Sequence, residues 1–404
     1  MSQDVTQEMV LNLLSAAMFQ KPLSVECNTD WSAVFEECCA HSVTSLAFSA
    51  LPKDQVPNEV YNQWKLSFNY DIASNSQISY AHTVLHELLT EHQIPYVILK
   101  GCISAQYYDD SVLRTMGDID FYINPSDKNR VDHLLKSYGF ELQDNDHEFE
   151  TVYTKDSSIY ELHTMINGIP GGKIGKQIEA YFEDIFDNAE IKALDLAQYN
   201  SPSPFHHGLI MLLHVARHMT TGGIGLRHFC DWAVFAEKIG ESFSPLFETK
   251  LKKVGLWRFA QIISQFCVLY LGETYQQWMG KLERELLRDL CEDVFAGGNF
   301  GHKDLKRADE AKFITSRKKG GVNDDSNIKQ AFLSANDIVR KHWRFADNVP
   351  VVYPFGWAFF GGRYAFRALT GKRERIHVNE LVKGAEKRRE IYKSLQLFKK
   401  NIYI

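Results

Sequence analysis

Cysteines at metal-binding or disulfide-framework spacing are missing from this chain: of its seven, only Cys38 and Cys39 are adjacent, and no Cys-x-x-Cys occurs. That excludes a cysteine-ligated zinc module and leads us to expect a reducing, cytoplasmic setting. A surplus of positive charge is missing as well, since 45 Lys and Arg face 51 Asp and Glu for a formal net charge of -6. Nothing general therefore attracts nucleic acid or an anionic membrane, and an anionic ligand needs a local site. Long apolar runs are absent too. The most apolar window, Val254 to Leu271, is broken by Arg258, Gln261 and Gln265 and reads as a buried amphipathic helix, so no membrane insertion is expected. The segment Met1-Ser2-Gln3-Asp4-Val5 has no basic stretch leading into an apolar core, so no secretory signal is expected.

What is present is an ordinary globular composition, 45% hydrophobic and 24% charged over 404 residues, enough for two or three compact units. Three regions are expected: an N-terminal helical module over 1–92, a mixed α/β core over 93–200, and a C-terminal helical region over 201–404. The stretch from Tyr61 to Leu89 has neither proline nor glycine and permits a long helix. After Ile94-Pro95 the pattern changes. Tyr96 to Leu99 reads as a strand, Cys102 to Tyr108 as a short helix, and Ile119 to Ile123 as a strand with Ile119, Phe121 and Ile123 inward. A helix capped by Ser126 and stopped by Gly139 follows. Then comes a hairpin of Phe149–Tyr153 and Ile159–His163 across Lys155-Asp156-Ser157-Ser158. Helices resume from Phe205 to about Cys291, and 297–325 reads as a loop. Between Val351 and Tyr364, Pro354, Gly356, Gly361 and Gly362 argue against a continuous helix, whereas Val378 to Lys400 reads as a basic amphipathic one. Its charge run Lys383 to Arg389 is expected to be a solvated face. The fold class is α+β, a small mixed sheet between helical modules.

The chemistry is carried by Gly117-Asp118-Ile119-Asp120. Two carboxylates two residues apart on a strand share a face. Their repulsion asks for a cation, and a divalent metal is the simplest one. Glu161 and His163 share a face of a later strand that can pair beside them, so three carboxylates, Asp118, Asp120 and Glu161, can converge on Mg²⁺. Lys100-Gly101 sits where a strand turns into a helix, a place where backbone N–H groups meet phosphate. The bland alternatives are definite. Lys100 can keep its head in water, Arg114 can pair with Asp109 or Asp110, and Arg227 can pair on the surface with Asp231. His214 and His218, spaced for a shared helix face, can be buried core histidines.

The order Leu99-Lys100-Gly101, Tyr107-Tyr108, Arg114, Gly117-Asp118-Ile119-Asp120, Glu161-Leu162-His163 resembles the DNA polymerase beta-like nucleotidyltransferase superfamily. Within it the chain is most similar to the bacterial family of uncharacterised nucleotidyltransferases. His214, His218, Gly225-Leu226-Arg227 and Asp231-Trp232 extend the likeness, which spans roughly 94 to 235. The resemblance implies transfer of a nucleoside monophosphate from a nucleoside triphosphate to a hydroxyl acceptor, with release of pyrophosphate. It implies two Mg²⁺ ions on Asp118 and Asp120, with Glu161 as a further metal ligand or the base toward the hydroxyl. Lys100, Gly101, Cys102, Ser104, Arg114, His163, His214, His218 and Arg227 make the candidate nucleotide-binding set. Cys102 stands where serine is usual, so a hydroxyl contact is lost or passes to Ser104, and Glu161 replaces the commoner aspartate. The acceptor is expected to be a small molecule or sugar. A protein acceptor, a non-catalytic nucleotide-binding scaffold, and a metallohydrolase built on His163, His214 and His218 are the competing readings.

Overall fold

The computed structural model describes residues 4–144, 150–304, 306, 307, 310, 311, 336, 339, 343, 350–369 and 378–399. Four helices lead the chain: α1 (Val5–Phe19), α2 (Trp31–Ala40), α3 (Thr44–Ser49) and the 34-residue α4 (Asn58–Glu91). The core adds β1 (Tyr96–Ile98), the single-turn α5 (Cys102–Ala105), β2 (Ile119–Ile123), α6 (Lys128–Ser137), β3 (Glu141–Asp144), β4 (Glu150–Lys155) and β5 (Ser158–His163). After α7 (Gly172–Ala180) come the small hairpin β6 (Glu190–Leu194) and β7 (Ala197–Ser201). The helical region then runs through α8 (Pro204–Thr220), α9 (Leu226–Ile239), α10 (Phe243–Val254), α11 (Trp257–Phe266) and α12 (Arg284–Gly297). Farther on lie α13 (Tyr353–Leu369) and α14 (Val378–Leu395). This is the expected α+β class.

The main sheet has the order β1-β2-β5-β4-β3, antiparallel except for β2 and β5, which run parallel with Asp120 opposite Glu161. Alternation sorts its two faces. Ile119, Phe121 and Ile123 are fully buried with Leu85 and Leu89 of α4 and Val131 and Leu135 of α6. The opposite face carries Asp120, Tyr122, Glu161 and His163; there Tyr122 stacks on Phe186 at 5.4 Å and joins the larger core of the helical region. The β4–β5 turn places Asp156 and Ser157 at φ 49 and 64, the left-handed pair that a two-residue hairpin takes.

Several expectations need correction. The helix at Cys102 ends at Ala105 rather than Tyr108. Ahead of α6 the cap is Asn124, whose side chain accepts from the Ser126 N–H, not Ser126 itself. Residues 353–369 form a continuous helix despite Pro354, because a proline in the first turn removes an N–H that has no helical partner there. The run 383–389 is solvated only in part: Arg388 is buried, donating to Glu310 and to the carbonyls of Met219 and Thr221. Most of the loop expected beyond residue 304 lies outside the described residues.

Candidate active site

Asp118 stands in the approach to β2 and Asp120 within it, on the sheet face turned toward the helical region. Asp120 has no solvent exposure, and two cations meet its Oδ1: Lys100 Nζ at 2.7 Å and His163 Nε2 at 2.8 Å. His163 Nε2 also lies 3.6 Å from Glu161 Oε2. The repulsion read from the sequence is thus partly relieved by the protein's own Lys100 and His163. Burial alone would raise the Asp120 carboxyl, but these two partners outweigh it and hold it far below the usual carboxylate range. Burial likewise disfavours the His163 cation, yet its bonds to Asp120 and Glu161 prevail and raise it to about 9. Asp118 receives no such partner. The neighbouring charge of Asp120, with burial added, pushes it up to about 6.

Compensation is incomplete, and this bears on a metal. Asp120 Oδ2 is buried and has no hydrogen-bond partner, which is costly for a carboxylate oxygen. Ligand atoms of Asp120, Glu161 and His163 lie within 4.8 Å of one another, the one such group among the described residues. A hard divalent cation fits this oxygen-rich corner, with Asp118 adjacent. The sequence had singled out Asp118, Asp120 and Glu161 to converge on a metal; the group that the structure brings together is Asp120, Glu161 and His163, and Asp118 lies outside it. His214 and His218 are not part of that group, so the three-histidine hydrolase finds no support among the described residues.

Beside the carboxylates opens a cavity of about 430 Å³. The core contributes Lys100, Gly101, Ser104, Arg114 and Asp118 to it; α8 and α9 contribute His214, Arg227, His228 and Asp231. Gly101 takes φ +71 where β1 turns into α5, a conformation that favours glycine. Ser104 Oγ lies 3.3 Å from His207 Nε2. Cys102 instead points into the core, fully buried, and its thiol is raised by burial. Its replacement of a serine therefore leaves the cavity wall untouched.

Arg114 pairs with neither Asp109 nor Asp110. It grips Asp231 with two bonds, Nε to Oδ1 at 3.1 Å and Nη2 to Oδ2 at 2.7 Å, and the Tyr108 hydroxyl donates to the same Oδ1 at 2.9 Å. The expected surface pair of Arg227 and Asp231 is therefore replaced by a buried Arg114–Asp231–Tyr108 knot. Arg227 is left with one long contact, Nη1 to the Thr115 carbonyl at 3.5 Å, and a buried Nε with no partner. Burial and the nearby Arg114 depress its guanidinium. A cation in that condition at a cavity wall is matched to an anion.

His214 meets His228, Nε2 to Nε2 at 3.2 Å, and His218 packs on His214 with ring centres 4.3 Å apart. Burial lowers all three, His218 to about 3. Sequence reasoning missed His228, although it follows the Gly225-Leu226-Arg227 motif directly. It also missed Asn299 and Phe300, which line the cavity from a glycine-rich segment read only as a loop.

An α+β core that sets carboxylates on neighbouring strands beside a lysine- and arginine-lined cavity is suited to an enzyme that handles phosphate groups, and a nucleotidyl-transferring enzyme is one of that class. The comparison with known families decides the class: the family described as uncharacterised nucleotidyltransferase matches residues 28–272. This chain belongs to that family and is a nucleotidyltransferase. No curated protein matches it. No helix among the described residues is long and apolar enough to cross a membrane.

Proposed function

We propose that this protein transfers a nucleoside monophosphate from a nucleoside triphosphate to a hydroxyl of a small molecule or sugar and releases pyrophosphate, with Mg²⁺ as its metal. The observation that carries this reading is the unpartnered, buried Oδ2 of Asp120 within a group of metal-competent side chains beside a cavity lined by Lys100 and Arg227. In the reaction, the acceptor oxygen forms a bond to the α-phosphorus as the bond from that phosphorus to the bridging oxygen breaks. Asp118 and Asp120 would hold Mg²⁺, which would supply charge neutralisation at the attacking and leaving oxygens.

The chain's own groups do the rest. Lys100, with 29% of its side chain exposed, reaches a phosphate oxygen by turning from Asp120 into the cavity that it lines. Arg227 offers its guanidinium to the triphosphate. Glu161 keeps 24% of its side chain exposed while Asp120 has none, so Glu161 is the carboxylate with room to take the acceptor's proton. The cavity volume falls in the small-ligand range, in keeping with a small acceptor, and the seven free cysteines accord with a cytoplasmic setting. Titration calorimetry of nucleoside triphosphates with and without Mg²⁺ tests the reading. Mg²⁺ is expected to strengthen binding in the wild type and to have no effect in Asp120→Asn. Nucleotide binding indifferent to Mg²⁺ in the wild type would overturn it.

A further inference from the structure

The family match ends at residue 272, yet the cavity has a wall beyond it. That wall is Asn299, Phe300 and His302, carried by the segment from Gly297 to His302, which lies against the loop Thr221-Gly222-Gly223-Ile224-Gly225 between α8 and α9. The two touch backbone to backbone: a Cβ on Gly222 would sit 2.9 Å from the Phe300 carbonyl oxygen, and one on Gly225 would sit 3.0 Å from the Cα of Asn299. This seating holds Phe300 at φ 55 and brings both Asn299 and Phe300 to the cavity.

Asn299 is only 7% exposed. Its Nδ2 donates to Ser42 Oγ at 2.9 Å, whereas its buried Oδ1 has no partner. A buried acceptor left so is costly, and a ligand N–H relieves that cost. Aromatic rings surround it on the cavity side. His214 and His228 are neutral, and the Phe300 ring lies 4.8 Å from His218 and 5.8 Å from His228. Such a wall suits a planar, neutral heterocycle better than a sugar or a phosphate. The phosphates already have Lys100 and Arg227.

We infer that Asn299 and Phe300 form the nucleobase subsite, and that Asn299 Oδ1 faces the C6 substituent of a purine or the C4 substituent of a pyrimidine, selecting the amine that adenine and cytosine carry there over the carbonyl of guanine and uracil. The inference rests on the nucleotide reading of the cavity. Adenine and cytosine present an N–H₂ donor where guanine and uracil present a carbonyl oxygen, and a second acceptor facing Oδ1 leaves both unpaired. Sites built around one such hydrogen bond discriminate strongly against ligands that lack it. Both residues lie beyond the matched span, while the carboxylates, Lys100 and Arg227 lie within it.

The test is the binding of the four common nucleoside triphosphates, with Mg²⁺, to the wild type, Asn299→Ala and Phe300→Ala. The wild type should bind ATP or CTP about tenfold or more tighter than GTP and UTP. Asn299→Ala should bring the four to within about threefold, and Phe300→Ala should weaken all of them by a similar factor. Equal affinities in the wild type, or a preference that survives Asn299→Ala, overturn the assignment. The wild-type preference needs no variant, so it decides even if Asn299→Ala, which also loses the Ser42 contact, does not fold. Failure of all four to bind overturns the nucleotide reading itself, and the subsite with it.

Discussion

Removing the charge of Asp118 should stabilise the metal-free protein while disabling it. The carboxyl is pushed from its ordinary 3.8 up to about 6, mainly by Asp120 and then by burial, so ionised Asp118 opposes folding wherever the pH exceeds that value. A rise of about two pH units corresponds to roughly 3 kcal/mol. Asp118 is partly exposed, and screening by water reduces this to about 1–2 kcal/mol. Asp118→Asn keeps the shape and removes the charge. In chelator at about pH 8 its melting temperature should therefore rise by about 1–2 °C, the scale set by the unfolding entropy of a chain of 404 residues. The gain is full above about pH 6, shrinks as the pH falls, and vanishes near pH 4, where Asp118 is protonated in folded and unfolded chains alike. Melting curves across that range are the assay, together with Mg²⁺-strengthened nucleotide binding, which the same variant should lose. A variant less stable than the wild type at high pH, or a difference independent of pH, would refute the reasoning.

His163 gives the opposite pH dependence. Because its value is raised from 6.5 to about 9, the stability it contributes is full below about pH 6.5 and is lost as the pH climbs through 9; His163→Gln should flatten that decline in chelator. Asp231→Ala strands the Arg114 charge in the interior, and denaturant titration should read a loss of about 3–5 kcal/mol. Arg227→Ala should leave the melting temperature nearly unchanged yet weaken triphosphate binding about tenfold or more, the scale of a charged hydrogen bond. Glu161→Gln should still bind nucleotide while transfer falls by about two orders of magnitude, the scale of a lost general base. Transfer at the wild-type rate would make Glu161 structural.

Local periodicity made much of this readable. The alternation at Ile119, Phe121 and Ile123 put Asp120 on the opposite face, and the break at Lys100-Gly101 marked the strand end that borders the cavity. What stayed hidden depends on pairings far apart along the chain, about which a local pattern carries no information. Arg114 finds Asp231 across 117 residues, and the nearer Asp109 and Asp110, better candidates by distance along the chain, are passed over. Lys100 looked like a strand-end lysine because only the folded sheet brings Asp120 to 2.7 Å from it. Cys102 looked like an altered site residue because the motif does not say which way a one-turn helix faces. Asn299 and Phe300 depend on two glycine-rich segments meeting, and neither segment names the other.

The central claim is nucleotidyl transfer at the Asp118, Asp120 and Glu161 corner, so the decisive measurement follows the phosphorus atoms. Nucleoside triphosphate labelled at either the α- or the γ-phosphorus is incubated with Mg²⁺, a small-molecule extract as the source of acceptor, and either wild-type or Asp120→Asn protein. The account predicts that α-label joins an acceptor and γ-label leaves as pyrophosphate, both only with the wild type and only with Mg²⁺. Transfer of the γ-label to the acceptor, or α-label transfer undiminished in Asp120→Asn, would contradict it.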